Sequence, residues 1–202
     1  MIKSFIATSR IKKGGAFMRI HNITHDDMLN GTGLRVVLWV AGCTHHCKNC
    51  QNPITWDACS GIPFTEWEEA EVFTWLSKPW TEGITFSGGD PLHPNNRKKI
   101  GELAEFIKSK YPDKNIWCYT GYTLYAENGQ FIFKNADLSE SFSLSWLDKI
   151  DVLVDGIFDC NQRRKDINDG TVCHWRGSSN QKIINVPLSI ECDAICLWEE
   201  KA

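Results

Sequence analysis

The sequence lacks both a strong net charge and any apolar segment long enough to cross a membrane. Its 202 residues carry a formal net charge of −3, so there is no electrostatic basis for nonspecific nucleic-acid binding. A membrane-spanning helix needs about 20 consecutive apolar residues, and the sequence has no such run. Internal repeats are also missing. We therefore expect one globular domain with a sizeable core, and neither nucleic acid nor a membrane as a partner.

The sequence also shows no disulfide framework and no recognisable secretory signal. Its nine cysteines are an odd number in a chain too long to need stapling by disulfides. A cytoplasmic location and a use of cysteine in metal or redox chemistry are therefore favoured. Residues 1–17 are basic and contain no acid, as in a transit peptide, but Gly14-Gly15 resembles a flexible joint. An N-terminal extension upstream of Met18 is the preferred interpretation.

Alternating strand and helix patterns predict the fold class. Leu34 to Val40 is a near-continuous apolar run, typical of a strand buried on both faces of a parallel sheet. Thr65 and Glu68 form a capping-box pattern, which predicts a helix from about Glu66 to Ser77. Eight βα units usually need about 250 residues, so we predict an α/β fold of the partial, open parallel βα barrel type. Further expected elements are strands at 84–86, 116–119, 150–154 and 183–186, a helix ending at Lys110, and an irregular insertion at 126–147 with a turn at Asn128-Gly129.

Candidate chemical groups follow directly after the predicted strands. Cys43, Ser87, Thr120 and Asp155 each stand just beyond a strand's end. Parallel α/β folds bind their ligands at the carboxyl ends of the strands. We therefore expect these residues to lie at one edge of the sheet.

Three of the cysteines lie in one short loop. Cys43, Cys47 and Cys50 are separated by three and then two residues. Three thiolates at this spacing can hold an iron–sulfur cluster and leave one iron without a protein ligand. A structural zinc site would need a fourth ligand, for which the two histidines of the loop or Cys59 are available. Zinc sites more often use two separated ligand pairs, so the spacing favours the cluster.

This cysteine loop, directly after a buried strand, resembles the signature of radical S-adenosylmethionine (SAM) enzymes. The resemblance implies that Cys43, Cys47 and Cys50 hold a [4Fe-4S] cluster and that the amino and carboxylate groups of SAM chelate the fourth iron. It also implies that one electron from the cluster cleaves the sulfonium, which gives methionine and a 5′-deoxyadenosyl radical. Chelation would turn a difficult encounter into a positioned step.

The Ser87-Gly88-Gly89-Asp90 turn strengthens this resemblance. Two glycines after a strand let the backbone approach a ligand without side-chain obstruction. Without further context, such a turn would be a plain strand-to-helix connection. In the superfamily, however, a Gly-Gly-acid segment at this point contacts the amino group of SAM.

The chain is similar, more narrowly, to the activating proteins of anaerobic ribonucleoside-triphosphate reductase. The resemblance implies an oxidoreductase that abstracts a hydrogen atom from a glycine of that reductase and leaves a glycyl radical. Abstraction of a hydrogen atom needs no general acid or base, so no catalytic residue beyond the cluster ligands is expected. A flavodoxin-like protein is the implied electron donor. The matching strings, in family order, are Asn30–Arg35, Cys43–Asn52, Thr85–Pro94, Trp117–Tyr122, Asp151–Gly156 and Trp175–Gln181.

The family resemblance also implies a SAM site, with two departures in the cysteine loop. Asn49 stands where this family usually has glycine and other superfamily members have an aromatic residue, and Gln51 stands where relatives often have an aromatic. Backbone groups around Cys50 are therefore the expected adenine contacts. The complete set of expected cofactor contacts is Asn49, Cys50, Gln51, Ser87, Gly88, Gly89, Asp90 and Thr120.

Several residues keep more than one interpretation. Thr120 either offers its hydroxyl to SAM or only ends a strand. Asp155 accepts from a ribose hydroxyl or, as we prefer, caps the next segment. Arg176 pairs with the SAM carboxylate, contacts the partner protein or makes a surface salt bridge. The remaining candidates are expected to be inert, as solvated loop residues (His45, His46), ordinary thiols rather than a second metal site (Cys192, Cys196) and structural thiols (Cys59, Cys118, Cys160, Cys173).

The predicted domain organisation is an extension at 1–17, a radical SAM domain at 18–186 and a C-terminal tail at 187–202. Two alternative functions stay open at this point. One is an activator of another glycyl-radical enzyme of the formate-lyase type. The other is a noncatalytic zinc or iron–sulfur binding module.

Overall fold

The computed structural model describes residues 18–163 and 175–199, which form a mixed α/β fold. The predicted extension at 1–17 and Cys173 lie outside these ranges. The described strands are β1 Arg19–Asp27, β2 Leu34–Val40, β3 Ile62–Pro63, β4 Thr81–Gly88, β5 Asn115–Tyr119, β6 Thr123–Glu127, β7 Gln130–Lys134, β8 Ser141–Phe142, β9 Val152–Asp155 and β10 Lys182–Asn185. The described helices are α1 Glu66–Leu76, α2 Arg97–Lys110 and α3 Val186–Cys192.

A seven-stranded sheet with the order β10-β9-β5-β4-β2-β1-β3 forms the centre of the fold. Its four middle strands, β9, β5, β4 and β2, run parallel to one another. The outer strands β10, β1 and β3 pair antiparallel. The expectation of a mostly parallel sheet is thus confirmed, whereas β1 and β3 had no counterpart in the sequence prediction.

Strand β2 explains why the middle of the sheet is parallel and buried. Val36, Leu38 and Val40 enter the main hydrophobic core on the helix side, and Val37 is buried on the opposite face. A strand covered on both faces needs apolar residues at nearly every position, which is what this run provides. The observed bounds of β2 coincide with the predicted run.

Helices α1 and α2 cover one face of the sheet. The capping box predicted for α1 is present, because the Thr65 amide donates to Glu68 at 2.8 Å and the Thr65 side chain accepts from the first turn. In α2, Ile100, Leu103 and Ile107 are buried in the core, at the predicted helical spacing. In the two described ranges, none of the helices is long and apolar enough to cross a membrane.

The insertion at 126–147 contains regular strands, which corrects the sequence prediction of an irregular segment. Strands β6, β7 and β8 form a second, antiparallel sheet of three strands. The predicted turn is present: Asn128 and Gly129 both have positive φ, at 52° and 73°, as a tight β-hairpin requires. Phe133 is buried in the core and stacks on Phe142, so the small sheet is anchored by apolar packing.

The chain after β10 returns along the sheet. Helix α3 begins at Val186, and the Trp198 amide then donates to the Ile183 carbonyl at 2.8 Å. The indole of Trp198 packs edge-on against Trp117 and Trp175, at 5.3 and 5.6 Å between ring centroids. The described part of the predicted tail, 187–199, is therefore packed against the sheet.

Candidate metal centre

The cysteine loop leaves the end of β2 and is held by backbone hydrogen bonds at its start. The Gly42 and Cys43 amides donate to the carbonyls of Thr55 and Trp56, at 2.7 and 3.0 Å. Within the loop, Asn49 adopts a left-handed conformation with φ of 57°. Asparagine tolerates this conformation better than most residues, and glycine tolerates it best. The departure at Asn49 thus has a backbone reason, and an aromatic side chain there would be strained.

The three cysteines of the loop are free and half-buried. Burial, with the nearby charge of Asp90, raises the pKa of Cys43 to about 12. Burial also raises the pKa of Cys47, although a backbone hydrogen bond from Phe158 opposes this. The Asn52 amide donates to the Cys50 sulfur at 3.3 Å. Such thiols become thiolates when a metal supplies the compensating positive charge.

The donor set fits an iron–sulfur cluster held by three cysteines. In a cluster each thiolate binds a different iron, so the sulfurs need not converge on one ion. Within residues 18–163 and 175–199, no group of three or more His, Cys, Asp and Glu side chains is placed so that it could hold a single metal ion. The two thiols of Cys192 and Cys196 contact each other, and this hydrogen bond is the main cause that raises the pKa of Cys192.

The glycine pair at the end of β4 packs directly against the end of β2 and the start of the cysteine loop. A Cβ atom on Gly88 would lie 2.8 Å from the Val40 nitrogen, and one on Gly89 would lie 2.6 Å from the Gly42 carbonyl oxygen. The amides of Gly89 and Asp90 donate to the carbonyls of Val40 and Gly42, each at 2.7 Å. Glycine is required here by the close approach of two backbones of this chain, in addition to any approach of a ligand.

Asp90 joins three strand ends through its buried carboxylate. It accepts from the Thr120 hydroxyl at 3.0 Å and from the Gly121 amide at 2.9 Å, both at the end of β5. The Leu92 amide donates to it at 2.7 Å, and His45 Nε2 lies 2.7 Å away. The side chains of Asp90 and Thr120, both expected to contact SAM, are therefore hydrogen-bonded to each other.

His45 is not the solvated loop residue that the sequence predicted. Its side chain is only 6% exposed, and its ring packs edge-on against Tyr122 at 4.7 Å. His46 does match the prediction, since it is exposed, with its ring near Trp56.

The structure also assigns roles to Asn96 and Tyr122, which the sequence analysis had not singled out. Asn96 Nδ2 donates to the carbonyls of Ala41 and Asp90, at 2.8 and 2.9 Å.

The other predicted positions lie around this centre. Ser87, Gly88 and Gly89 are half-buried at the end of β4, and Asn49 and Gln51 are exposed on the loop. The carboxyl ends of the parallel strands therefore bring the cysteine loop, the glycine turn and Thr120 to one edge of the sheet, as expected.

Asp155 is buried and bonded to the protein itself. Its carboxylate accepts from the Leu124 amide at 2.8 Å and lies 3.1 Å from Lys182 Nζ. Burial raises the pKa of Asp155, and these partners oppose the shift. These partners lie on β6 and β10 and not on the segment directly after β9, so they do not support the preferred interpretation of Asp155 as a cap of that segment.

The segment from Trp175 to Gln181 forms a loop fastened by Gln181. The side-chain oxygen of Gln181 accepts from the amides of Gly177 and Ser178, at 2.9 and 3.1 Å, and its Nε2 donates to the Gly156 carbonyl at 2.9 Å. Arg176 Nη1 donates to the Gln181 carbonyl at 2.7 Å. The loop is thus tied to the end of β9. It lies close to Phe158, whose backbone forms a hydrogen bond with Cys47.

Comparison with known proteins shows what this chain is similar to. Residues 29–184 match the family model of a 4Fe-4S single cluster domain. A protein of Enterobacteria phage T4 is 39% identical over 157 residues, which cover 78% of this chain and 87% of the relative. A protein of Escherichia coli strain K12 is 38% identical over 168 residues, covering 82% and 97%. A Pasteurella multocida protein is 39% identical over 160 residues, covering 78% and 90%.

Each of these three relatives is named anaerobic ribonucleoside-triphosphate reductase-activating protein. The matched segment contains the cysteine loop, the glycine turn and the strand ends described above. The chain belongs to the family of anaerobic ribonucleoside-triphosphate reductase-activating proteins, with a 4Fe-4S single cluster domain.

Proposed function

We propose that this protein is a radical SAM enzyme that generates a glycyl radical on anaerobic ribonucleoside-triphosphate reductase. The observation that carries the proposal is the position of three free, half-buried cysteines on one loop, whose start packs against the glycine pair at the end of β4. Their number and spacing are those of a cluster with one open iron. The names of the relatives support the reductase as partner.

Cys43, Cys47 and Cys50 would hold the [4Fe-4S] cluster. When bound, the cluster and SAM together supply a reducing electron and a 5′-deoxyadenosyl radical, with methionine as coproduct. The chain's own contribution is to position and to shield. The loop start is fastened to Thr55 and Trp56, and the half-buried sulfurs limit access of water to the cluster.

The SAM site would lie between the cysteine loop and the ends of β4 and β5. Asn49, Cys50 and Gln51 would contact the adenine through backbone groups, and Ser87, Gly88 and Gly89 would contact the amino group of SAM. Asp90 and Thr120, which follow the ends of β4 and β5, would complete this site. Because their side chains bond each other at 3.0 Å, we propose that their main effect on SAM is to fix the glycine turn.

Four parallel strands with helices on one face support a partial, open barrel of the radical SAM type. We propose 18–186 as the radical SAM domain, since the matched family segment lies within it, with 1–17 as an extension and 187–202 as a C-terminal tail. The reaction also requires a reductant, for which a flavodoxin-like protein is the proposed donor, and a cytoplasmic location would suit this chemistry.

The test begins with anaerobic reconstitution with iron and sulfide, followed by SAM and dithionite. We expect an oxygen-sensitive cluster whose electron paramagnetic resonance spectrum changes with SAM, and production of 5′-deoxyadenosine. A loaded cluster that gives no deoxyadenosine would refute the radical SAM proposal and leave a noncatalytic module.

Partner choice needs a second measurement. The reduced, SAM-loaded protein is mixed anaerobically with the reductase or, as a control, with a glycyl-radical enzyme of the formate-lyase type. A glycyl signal is expected only with the reductase. A signal only with the control would assign the protein to the alternative activator class.

A further inference from the structure

The middle of the cysteine loop is tied to the sheet by the side chain of His45. His45 stands between the proposed ligands Cys43 and Cys47, and its Nε2 lies 2.7 Å from the Asp90 carboxylate. Its side chain is 6% exposed and that of Asp90 is 2% exposed. The backbone hydrogen bonds of the loop to Thr55 and Trp56 hold only its start. The His45 contact therefore connects the middle of the loop, between the proposed ligands Cys43 and Cys47, to the ends of β4 and β5.

The end of β5 forms a socket that fits the His45 ring. A Cβ atom on Gly121 would lie 2.3 Å from Cδ2 of His45, so the ring occupies the space that any other residue's side chain would fill. Tyr122 meets the ring edge-on at 4.7 Å and is itself held by a 2.8 Å hydrogen bond to Glu140. Glu140 pairs in turn with Arg97 at 2.8 Å.

The socket is fixed from several sides by residues of this chain. Asp90 is held by the Thr120 hydroxyl and the Gly121 amide, and Glu140 lies in the connection between β7 and β8, directly before β8. A buried polar group with satisfied partners specifies one arrangement of the segments it joins. In metal sites, residues that orient the ligands typically change metal affinity 10- to 100-fold when they are replaced.

We propose that His45 is a positioning residue, which holds the cysteine loop in the arrangement that binds the cluster. The proposal rests on the proposed function, because it requires Cys43, Cys47 and Cys50 to be cluster ligands. His45 is not a ligand in this proposal. It acts through Asp90 and through the socket formed by Gly121 and Tyr122.

The experiment uses the full chain, reconstituted anaerobically. Three variants perturb the tie: His45→Ala removes it, Gly121→Ala fills the socket while keeping the histidine, and His45→Gln keeps a side-chain N–H at a similar reach. The matched control is His46→Asn, because the adjacent histidine is exposed and asparagine tolerates its left-handed backbone. The readouts are iron and sulfide per chain, the rate of iron loss to a chelator, and the electron paramagnetic resonance spectrum with and without SAM.

We expect His45→Ala and Gly121→Ala to lose iron at least about tenfold faster than the wild type. Their spectra should respond less to SAM, while His45→Gln should recover most of the wild-type retention and His46→Asn should match the wild type. Circular dichroism and thermal unfolding of each apo protein give its folded fraction. Iron loss that merely follows this fraction, or wild-type retention in His45→Ala, would overturn the proposal. A wild-type chain that holds no cluster would instead refute the proposed function and this inference with it.

Discussion

A charged side chain is buried at each end of the parallel strands of the central sheet, but the two side chains have different hydrogen-bond partners. We call the end at which these strands begin the amino edge and the end at which they finish the carboxyl edge. At the amino edge, the fully buried Arg35 donates to the Thr85 hydroxyl and to the carbonyls of Thr32 and Ile84, each at 2.8 Å. At the carboxyl edge, the carboxylate of Asp90 accepts from amides, a hydroxyl and His45. Neutral partners satisfy most of each charge, as burial requires.

The difference lies in what the partners are attached to. The partners of Arg35 belong to the sheet and its adjoining loop, and its guanidinium also lies 5.5 Å from the Trp117 ring. Burial lowers the pKa of Arg35 to about 10, although nearby carboxylates oppose this. One partner of Asp90 lies on the loop that carries the cysteines. Arg35 and Asp90 both lie within the segment that matches the family model. Of these two buried charged groups, Asp90 is the one bonded to the loop that carries Cys43, Cys47 and Cys50.

The largest expected effect is at the carboxyl edge. Replacement of Cys43, Cys47 or Cys50 by alanine should abolish cluster binding and deoxyadenosine formation, because in the proposed site each thiolate would hold one iron. Iron analysis after reconstitution measures this. Cys59→Ala and Cys192→Ala serve as controls, since these two cysteines are exposed. Loss of iron in Cys192→Ala or Cys196→Ala would mean that the ligand assignment is wrong.

The amino edge should respond in stability alone. Arg35→Met leaves buried carbonyls without donors, so we expect a loss of about 3 kcal/mol in the free energy of unfolding, measured by urea denaturation of the apo protein. Replacement of the exposed Lys98 by methionine should change it by less than about 0.5 kcal/mol. If Arg35→Met altered the SAM response of a fully loaded cluster, the contrast between the two edges would fail.

Two glycine substitutions test how much the close approach of two backbone segments contributes to the free energy of unfolding. Gly88 has φ of 102° and its added Cβ would lie 2.8 Å from a backbone nitrogen, whereas Gly129 has φ of 73° with its nearest neighbour at 3.9 Å. Gly129→Ala should cost about 1 kcal/mol for the backbone conformation alone. Gly88→Ala should cost at least about 2 kcal/mol, since it adds a steric clash. Equal losses in urea denaturation would show that the backbone at the end of β2 shifts easily to make room for the added methyl group.

The smallest effect concerns a second buried carboxylate, Asp155, whose pKa burial raises. Below the ordinary aspartate pKa, of about 3.9, the group is protonated in both states. As pH rises through the raised folded pKa, the unfolded chain releases the proton more readily, so this contribution to stability declines. The stability of the wild type minus that of Asp155→Asn, measured on the apo protein by urea denaturation, should therefore fall with pH. An increase would mean that pairing with Lys182 dominates.

Much of the fold was predictable because its signals are local. The apolar run of β2 and the Thr65–Glu68 capping box involve neighbours in the chain, and both are confirmed. The hairpin of β6 and β7 was missed although its turn was recognised, because its strands are short and partly exposed. Strand β1 was missed for a similar reason, since only Ile20 among its side chains is fully buried.

The candidate site divides in the same way. The spacing of three cysteines and the glycine pair could be recognised by themselves, because cluster ligation and close approach depend on short segments. The roles of His45 and Asp90 could not, because their partners lie on other strands. Gly121 shows this best: it is glycine because a ring from the cysteine loop, 76 positions earlier, fills its side-chain space.

By itself, the sequence determined the alternating elements, the three cysteines after β2 and the family to which the chain belongs, since these depend on composition and spacing over a few residues. Only the tertiary structure decided that β10 runs antiparallel, that the insertion is a sheet, and that a histidine of the cysteine loop is buried against Asp90. The physical reason is that burial and hydrogen bonding of a polar side chain depend on which distant segments meet, and the packing of the parallel strand ends selects those segments.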